Sequence, residues 1–329
     1  MKYIDSHSLD PYFNLALEEY ILKNFDIDEE IIFLWQNTPT IVVGHNQNTI
    51  EEINLSFVNE HKIKVVRRLS GGGAVYQDLG NLNFTFLIHL ENPINLDIKE
   101  FTLPVVKALN QLGAAAELSG RNDITIEGKK ISGNAQRLFQ NKLLHHGTLL
   151  FDSDLEVITK ALQVGFDKIQ SKGIKSVRSR VTNIKPYLNN KQMNITEFKE
   201  SILKELFQGR EIKHYPLGEY DLEQINKLVE EKYSRWEWNF GYSPPYTIKN
   251  SRRFSGGKVE LLLDVEKGRI KNCQIFGDFL SLFDISEIED ALKDQQYQSE
   301  VIKEILTKFD LKYYFGDISL AELMTVFMG

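Results

Sequence analysis

Three consecutive glycines, Gly71-Gly72-Gly73, stand between two stretches patterned as strands, and nothing else in the chain limits its fold as tightly. Glycine gives up more backbone freedom on folding than any other residue, so a run of three is kept where the chain must take positive φ or approach something closely. The stretch reads Arg67-Arg-Leu-Ser-Gly-Gly-Gly-Ala-Val-Tyr-Gln-Asp-Leu-Gly-Asn-Leu-Asn-Phe-Thr-Phe86. Bare amides can face an anion, and Arg67 or Arg68 can add a charge-assisted fork. A flexible hairpin turn is the plainer account. The spacing fits neither a Walker loop nor a strand-to-helix dinucleotide loop. With strand-like residues on both sides, a phosphate site here would have to sit on a sheet.

Around this loop the pattern is that of an α+β protein. Asp10-Pro11 is a helix start, and Phe13, Ala16, Leu17, Tyr20 and Ile21 follow at helical spacing. From Ile31 to Phe86 short β-branched and aromatic runs predict strands. Asp123 to Ser132 reads as a hairpin turning at Glu127-Gly128. Ser153 with Glu156 reads as a capping box, and helices are expected over about 153–164, 196–208 and 221–232. Strands and helices do not alternate regularly, which favours mixed or antiparallel sheets over a doubly wound parallel one. The adjacent prolines of Gly241-Tyr-Ser-Pro-Pro-Tyr246 suit a linker. We therefore expect one domain over 1–245 and a smaller α+β domain over 246–329. In the latter, Lys258–Val265 and Arg269–Phe276 form a hairpin, and Ser286/Glu289 and Ser319/Glu322 form capping boxes. At 329 residues the chain is long enough for two cores.

Charge and cysteine content exclude several classes. A formal charge of -7 argues against a general nucleic-acid binder. Apolar runs such as Ile31–Trp35 are far shorter than the ~20 residues a membrane helix needs. One cysteine, Cys273, allows no internal disulfide, and the first residues lack the basic-then-apolar pattern of a secretory signal, so a reducing cytoplasm is expected. His145-His146 invites a metal reading, but neighbours on a strand point to opposite faces and no ligand set accompanies them. Lys129 and Lys130 likewise fall on opposite faces, so one of the two can point inward. The basic run Lys172–Arg180 reads as a solvated loop or as a surface for an acidic partner.

Together these motifs resemble lipoate-protein ligase A. The carrying segments are RRLSGGGAVYQDLGNLNFTF at 67–86, GRNDITI with KKISGNAQ at 120–136, HHGTLLFDSDL at 145–155 and SKGIKSVRSRVTNI at 171–184. The match keeps its order over nearly the whole chain. It implies a biotin/lipoyl ligase-type catalytic domain with a C-terminal accessory domain. It also implies an ATP-dependent reaction in which lipoate is adenylated and then passed to a lysine of a carrier protein. By the same resemblance Arg68, Gly73, Ala74, Val75 and Tyr76 would hold ATP, with Gly71, Gly72 and Asn81 as weaker candidates. Lys130 would meet both the lipoate carboxyl and the α-phosphate, whereas Lys129 has no counterpart.

ATP normally arrives with Mg²⁺, for which Asp123 is the first choice and Asp78 the second. Trp35, Val42 and Phe84 are candidates for an apolar tunnel around lipoate. Partners implied are apo lipoyl domains of 2-oxoacid dehydrogenase E2 subunits and the glycine-cleavage H protein, with no nucleic acid and no membrane. Gln77 stands where many members of the family have histidine. The competing readings are acyl transfer between carriers through a cysteine thioester, for which only Cys273 is available, biotin ligation, and a non-catalytic acyl-binding module.

Overall fold

The computed structural model describes residues 1–25, 29–91, 98–120, 122–162, 181–240, 248–266 and 268–328. Its strands are β1 (Lys2–Ile4), β2 (Ile31–Trp35), β3 (Thr40–Val43), β4 (Lys64–Arg67), β5 (Val75–Gln77), β6 (Asn81–His89) and β7 (Glu117–Ser119). They continue as β8 (Asp123–Ile126), β9 (Lys129–Phe139), β10 (Lys142–Leu150), β11 (Lys213–His214), β12 (Ile248–Phe254), β13 (Gly257–Glu266) and β14 (Arg269–Gly277).

Eight of these strands make the main sheet, in the order β11-β1-β2-β6-β10-β9-β8-β7. The β1 pairings with β11 and β2 are parallel and the rest antiparallel. A small sheet, β4-β3-β5, carries the chain into and out of the glycine run. The mixed α+β architecture expected from the sequence is therefore present.

Alternation along β2 and β6 sorts the core into two layers. Ile32, Leu34, Leu82, Phe84 and Phe86 pack on one face with residues of the helices Ile98–Gln111 and Ile195–Phe207. Phe33, Trp35 and Leu87 pack on the other with the helix Pro11–Asn24. That second face also carries Asn81, Asn83 and Thr85, all fully buried. Three polar residues on a core-facing side of one strand need partners, and the site lies there.

The Asp10 side chain caps the first helix as expected. The capping box expected at Ser153 and Glu156 is not formed. Asp154, rather than Ser153, accepts from the Glu156 and Val157 amides, and the helix runs Leu155–Ala161. The end expected near residue 164 lies outside the described residues, as do Lys172–Arg180 and the prolines of the linker.

Residues from Val259 to Phe327 close a separate core around the antiparallel sheet β12-β13-β14. Ser319 and Glu322 make the expected reciprocal cap. Ser286 and Glu289 do not. Glu289 instead accepts from the Ile275 amide at 2.7 Å, and Asp284 takes the Ser286 amide at 3.1 Å. This second core docks directly on the glycine run. The Gly72 amide donates to the Phe279 carbonyl at 2.9 Å, and Asn46 Nδ2 donates to Ser281 Oγ at 2.9 Å. Asp284 also lies 3.5 Å from His45 and 3.3 Å from Arg137.

Candidate active site

One cavity brings together the two unusual stretches of the sequence. Its walls include Arg68, Gly72, Gly73, Ala74 and Val75 from the glycine loop, and Lys130 from the β8–β9 hairpin. Trp35, Val42 and Leu15 give it an apolar end. The charged part is thus continuous with a surface that would accept a hydrocarbon chain.

The glycine loop takes its shape from Arg68. This buried guanidinium donates from Nε to Ser70 Oγ (3.0 Å), and its terminal nitrogens donate to the carbonyls of Val42 (3.2 Å), Gly71 (2.6 Å) and Gly73 (2.9 Å). Burial lowers its pKa to about 10, so it stays charged at neutral pH. Arg67 faces away from the loop. It donates to the carbonyls of Gly44, His45 and Gln47 and to Thr49 Oγ1, and so braces the neighbouring segment. Of the glycines, Gly72 has φ +90°, a conformation other residues adopt only under strain. Gly71 lies against the second core, where a Cβ would come within 2.7 Å of the Phe279 carbonyl oxygen.

Lys130 reaches the cavity because the hairpin is irregular. Glu127 and Gly128 both take positive φ in the turn. The register then slips so that Thr125 pairs with Lys130 and Ile124 with Ser132, leaving Ile131 as an extra residue in the core. Lys129 is exposed, whereas Lys130 is half-buried and sits 2.7 Å from Asp123. The preferred Mg²⁺ candidate is therefore the ion-pair partner of the preferred catalytic lysine. Among the described residues no three His, Cys, Asp or Glu side chains cluster as a ready-made metal site.

The remaining candidates divide. Ala74 and Val75 line the cavity. Tyr76 turns its ring into the core on the far side of β5 and does not line the cavity. Asn81 is buried and donates to Asn83 Oδ1 at 2.9 Å, one residue removed from the cavity wall. Asp78 ties the chain to the helix Leu155–Ala161 by accepting from the Asp154 amide at 2.9 Å. Phe84 belongs to the opposite core layer. Cys273 is buried in the second core with its thiol pKa raised well above the ordinary range by desolvation, so it cannot serve as a thioester nucleophile at this cavity.

Sequence reasoning missed a buried polar relay beneath the loop. His146 Nδ1–H donates to Glu18 at 2.9 Å, and its Nε2 pairs with Ser70 Oγ at 2.6 Å, the same hydroxyl that Arg68 holds. Thr85 also donates to Glu18, and Trp35 Nε1 donates to Thr85 at 3.0 Å. His145, as alternation predicts, points the other way, and burial pulls its pKa down to about 3. The signal for Glu18 was present in the sequence. It lies three residues after Leu15 and four before Leu22, on the buried face of an apolar helix.

Comparison with known proteins agrees with this layout. The family profile described as "Lipoyl protein ligase A/B catalytic domain" matches residues 10–207, and "Bacterial lipoate protein ligase C-terminus" matches 243–327. Lipoate-protein ligase LplJ of Bacillus subtilis is 47% identical over 328 residues, covering 98% of this chain and 99% of its own. Among solved structures, Plasmodium falciparum LipL1 in complex with lipoate superposes with a TM-score of 0.81 at 29% identity, over 98% of both chains. A bipartite lipoate protein ligase of Thermoplasma acidophilum, described together with its E2 lipoyl domain, gives 0.65 at 27%, covering 75% of this chain and 98% of its own. A lipoate-protein ligase A bound with ATP gives 0.60 at 26%, covering 73% and 97%. With the profile matches and near-complete coverage in hand, this chain belongs to the lipoate-protein ligase family.

Proposed function

We propose that the cavity is where lipoate and ATP meet, and that the protein is an ATP-dependent lipoate-protein ligase. The observation that carries this reading is that the Lys130 side chain and the glycine loop line one cavity with an apolar end. The lipoate carboxylate attacks the α-phosphorus of ATP, the bond to the β-phosphate oxygen breaks, and pyrophosphate leaves. A carrier lysine amine then attacks the carbonyl of the mixed anhydride, AMP leaves, and an amide remains.

Both steps are limited by the meeting of charges, so positioning and neutralisation do most of the work. Lys130 serves the lipoate carboxylate and the α-phosphate. Arg68 holds Gly71–Gly73 in shape, and the loop from Gly73 to Val75 offers backbone to the nucleotide. Asn81 supports Asn83 behind the wall. Mg²⁺ enters with ATP as co-substrate. Asp123 gives one oxygen to Lys130 and has a second to share with the ion, which fits the one or two carboxylates that Mg²⁺ usually takes alongside phosphate.

We assign residues 1–245 to catalysis and 246–329 to an accessory domain, in line with the separate second core. The acceptors we propose are apo lipoyl domains of 2-oxoacid dehydrogenase E2 subunits and the glycine-cleavage H protein. We place the enzyme in the cytoplasm, in keeping with one buried cysteine and with no described helix long and apolar enough to cross a membrane. Incubation with ATP, Mg²⁺, lipoate and a panel of apo carriers, read by intact mass, tests the whole reading. The expected result is one lipoyl group per carrier with AMP and pyrophosphate released; carriers left unmodified would overturn it.

A further inference from the structure

Gln77 lines the cavity at the end of β5, and its orientation is dictated by a chain of carboxamides that begins on the first helix at Asn14, which is not part of the cavity wall. At the start, Asn14 Nδ2 donates to the backbone carbonyls of Ser8 (3.1 Å) and Gln36 (2.9 Å). A carbonyl only accepts, so the Asn14 amide cannot be turned round. The same nitrogen reaches Asn37 Oδ1 at 2.9 Å, which fixes Asn37 with its oxygen toward Asn14 and its nitrogen away from it. Asn37 Nδ2 therefore donates to Gln77 Oε1 at 2.7 Å, where Asn83 Nδ2 joins it at 3.3 Å. Two donors hold the Gln77 oxygen on the protein side. Its Nε2 has no protein acceptor among the described residues and is left to the cavity.

All four side chains are at most 4% exposed. An amide N–H fixed toward a cavity without a protein acceptor is available to whatever fills that cavity, and five carboxamides including Asn81 are an expensive way to fill space that a leucine would fill better. The arrangement has a purpose if a bound molecule supplies the missing acceptor. Position narrows which atom that is. Asn83 faces Thr148 across β6 and β10, and Thr148 Oγ1 accepts from the Gly133 amide beside Lys130. Gln77 thus lies about two strand spacings, roughly 10 Å, from the Lys130 end. The two side chains hold different groups.

We propose that Gln77 is a ligand-binding residue, donating from Nε2–H to an acceptor atom of the bound acyl acid or nucleotide at the end of the cavity away from Lys130. The proposal rests on the reading of this cavity as the site of adenylation. Because the donor is an amide with a fixed orientation, it selects an acceptor without any dependence on pH.

Two variants of the full chain test it, each assayed for adenylate formation with lipoate and ATP varied in turn. In Gln77→Glu the Asn37 and Asn83 bonds are kept, and the second oxygen presents negative charge where a donor stood. In Asn37→Asp the donor to Oε1 is lost, so Gln77 turns over with all its atoms retained, and the unpartnered Asn81 Oδ1 lets the rest of the chain reverse with it. Both should raise KM for one substrate about tenfold or more. KM for the other should stay within about twofold and kcat within about threefold; the substrate affected identifies the acceptor. If one variant is isolated unfolded, the other carries the test. Wild-type KM values for both substrates in a folded variant would overturn the role of Gln77. A wild-type protein that forms no adenylate would instead overturn the functional reading.

Discussion

The Lys130 ammonium rests 2.7 Å from the Asp123 carboxylate, and both side chains are about one-third exposed. A pair this open is worth roughly 1 kcal/mol or less, so an incoming phosphate can draw the lysine away at little cost. At ~4 Å and an effective dielectric of ~20 the attraction of one lysine to a phosphate is on the order of 4 kcal/mol before desolvation. Lys130→Ala should therefore lower the rate of adenylation by about a hundredfold or more. Lys129→Ala, on the exposed face of the same hairpin, should stay within about twofold. Pyrophosphate release measured for both variants checks the contrast, and equal rates would remove Lys130 from the chemistry.

Asp123 has two partners in this scheme, Lys130 before ATP arrives and Mg²⁺ afterwards. Asp123→Asn keeps the hairpin geometry and removes the charge. The Mg²⁺ concentration for half-maximal rate should rise about fivefold, since one of only one or two carboxylate ligands is lost. KM for lipoate should hardly move. A Mg²⁺ titration of wild type and variant at fixed ATP decides, and superimposable curves would restrict Asp123 to holding the lysine.

The three glycines are not equivalent. A Cβ on Gly71 would press at 2.7 Å on both the Phe279 carbonyl oxygen and the Ser281 amide nitrogen, and neither backbone atom can yield unless the second core backs away. On Gly72 it would add the strain of φ +90°, about 1–2 kcal/mol, and crowd the Arg68 guanidinium at 3.1 Å. On Gly73 it would meet only Asp278 Cβ at 3.9 Å. Thermal midpoints should therefore fall for Gly71→Ala and Gly72→Ala and hold for Gly73→Ala. Limited proteolysis should release the region 248–328 soonest in Gly71→Ala.

What the sequence disclosed and what it hid follow from the range of the interactions. The Glu127-Gly128 turn, the Asp10 cap and the Ser319/Glu322 cap are contacts within a few residues, and each is recognisable from residue type. So are the two motifs that converge on the cavity, because glycine and lysine are conspicuous where they are not needed for packing. Tyr76 follows the cavity-lining Val75, and the three residues of β5 are enough for alternation to turn its ring inward. The Glu18–His146–Ser70 relay joins residues 128 and 76 positions apart. No local pattern encodes that pairing. Ser286 and Glu289 have the spacing of a capping box, but the Ile275 amide on β14 takes the Glu289 carboxylate first.

That capture of Glu289 predicts a dependence of stability on pH. Burial, together with the negative charges of Asp284 and Asp290, pushes its pKa from the ordinary 4.5 up to about 7, while the Ile275 amide opposes the rise. The neighbouring His45 has its pKa lowered by burial, so it supplies little positive charge near neutrality. A carboxyl group whose pKa is higher in the folded state binds protons more tightly there. Its stabilising contribution is complete below about pH 4.5 and is lost as pH rises through about 7. The loss is at most about 3 kcal/mol. Urea unfolding at pH 5, 6, 7 and 8 should show this decline in wild type and a flatter profile in Glu289→Gln, which keeps an acceptor for Ile275 and cannot ionise. Parallel profiles would show that Glu289 ionises as readily in the folded chain as in the unfolded one.

The buried relay beneath the glycine loop gives the last expectation. Ser70 Oγ is shared by Arg68 and His146, and His146 is held in turn by Glu18, so the ring is a strut between the first helix and the loop that Arg68 shapes. His146→Ala removes the strut and leaves the Glu18 carboxylate short of a donor in a buried setting, which costs about 2–4 kcal/mol. Glu18→Gln keeps an acceptor for Nδ1–H and should lose about 1 kcal/mol. If the strut matters mainly by fixing the loop, both variants should raise KM for ATP, His146→Ala by tenfold or more and Glu18→Gln by less, with KM for lipoate less affected. Denaturation midpoints alongside both KM values separate the two roles. A large loss of stability with unchanged KM for ATP would mean that the loop is held by Arg68 alone.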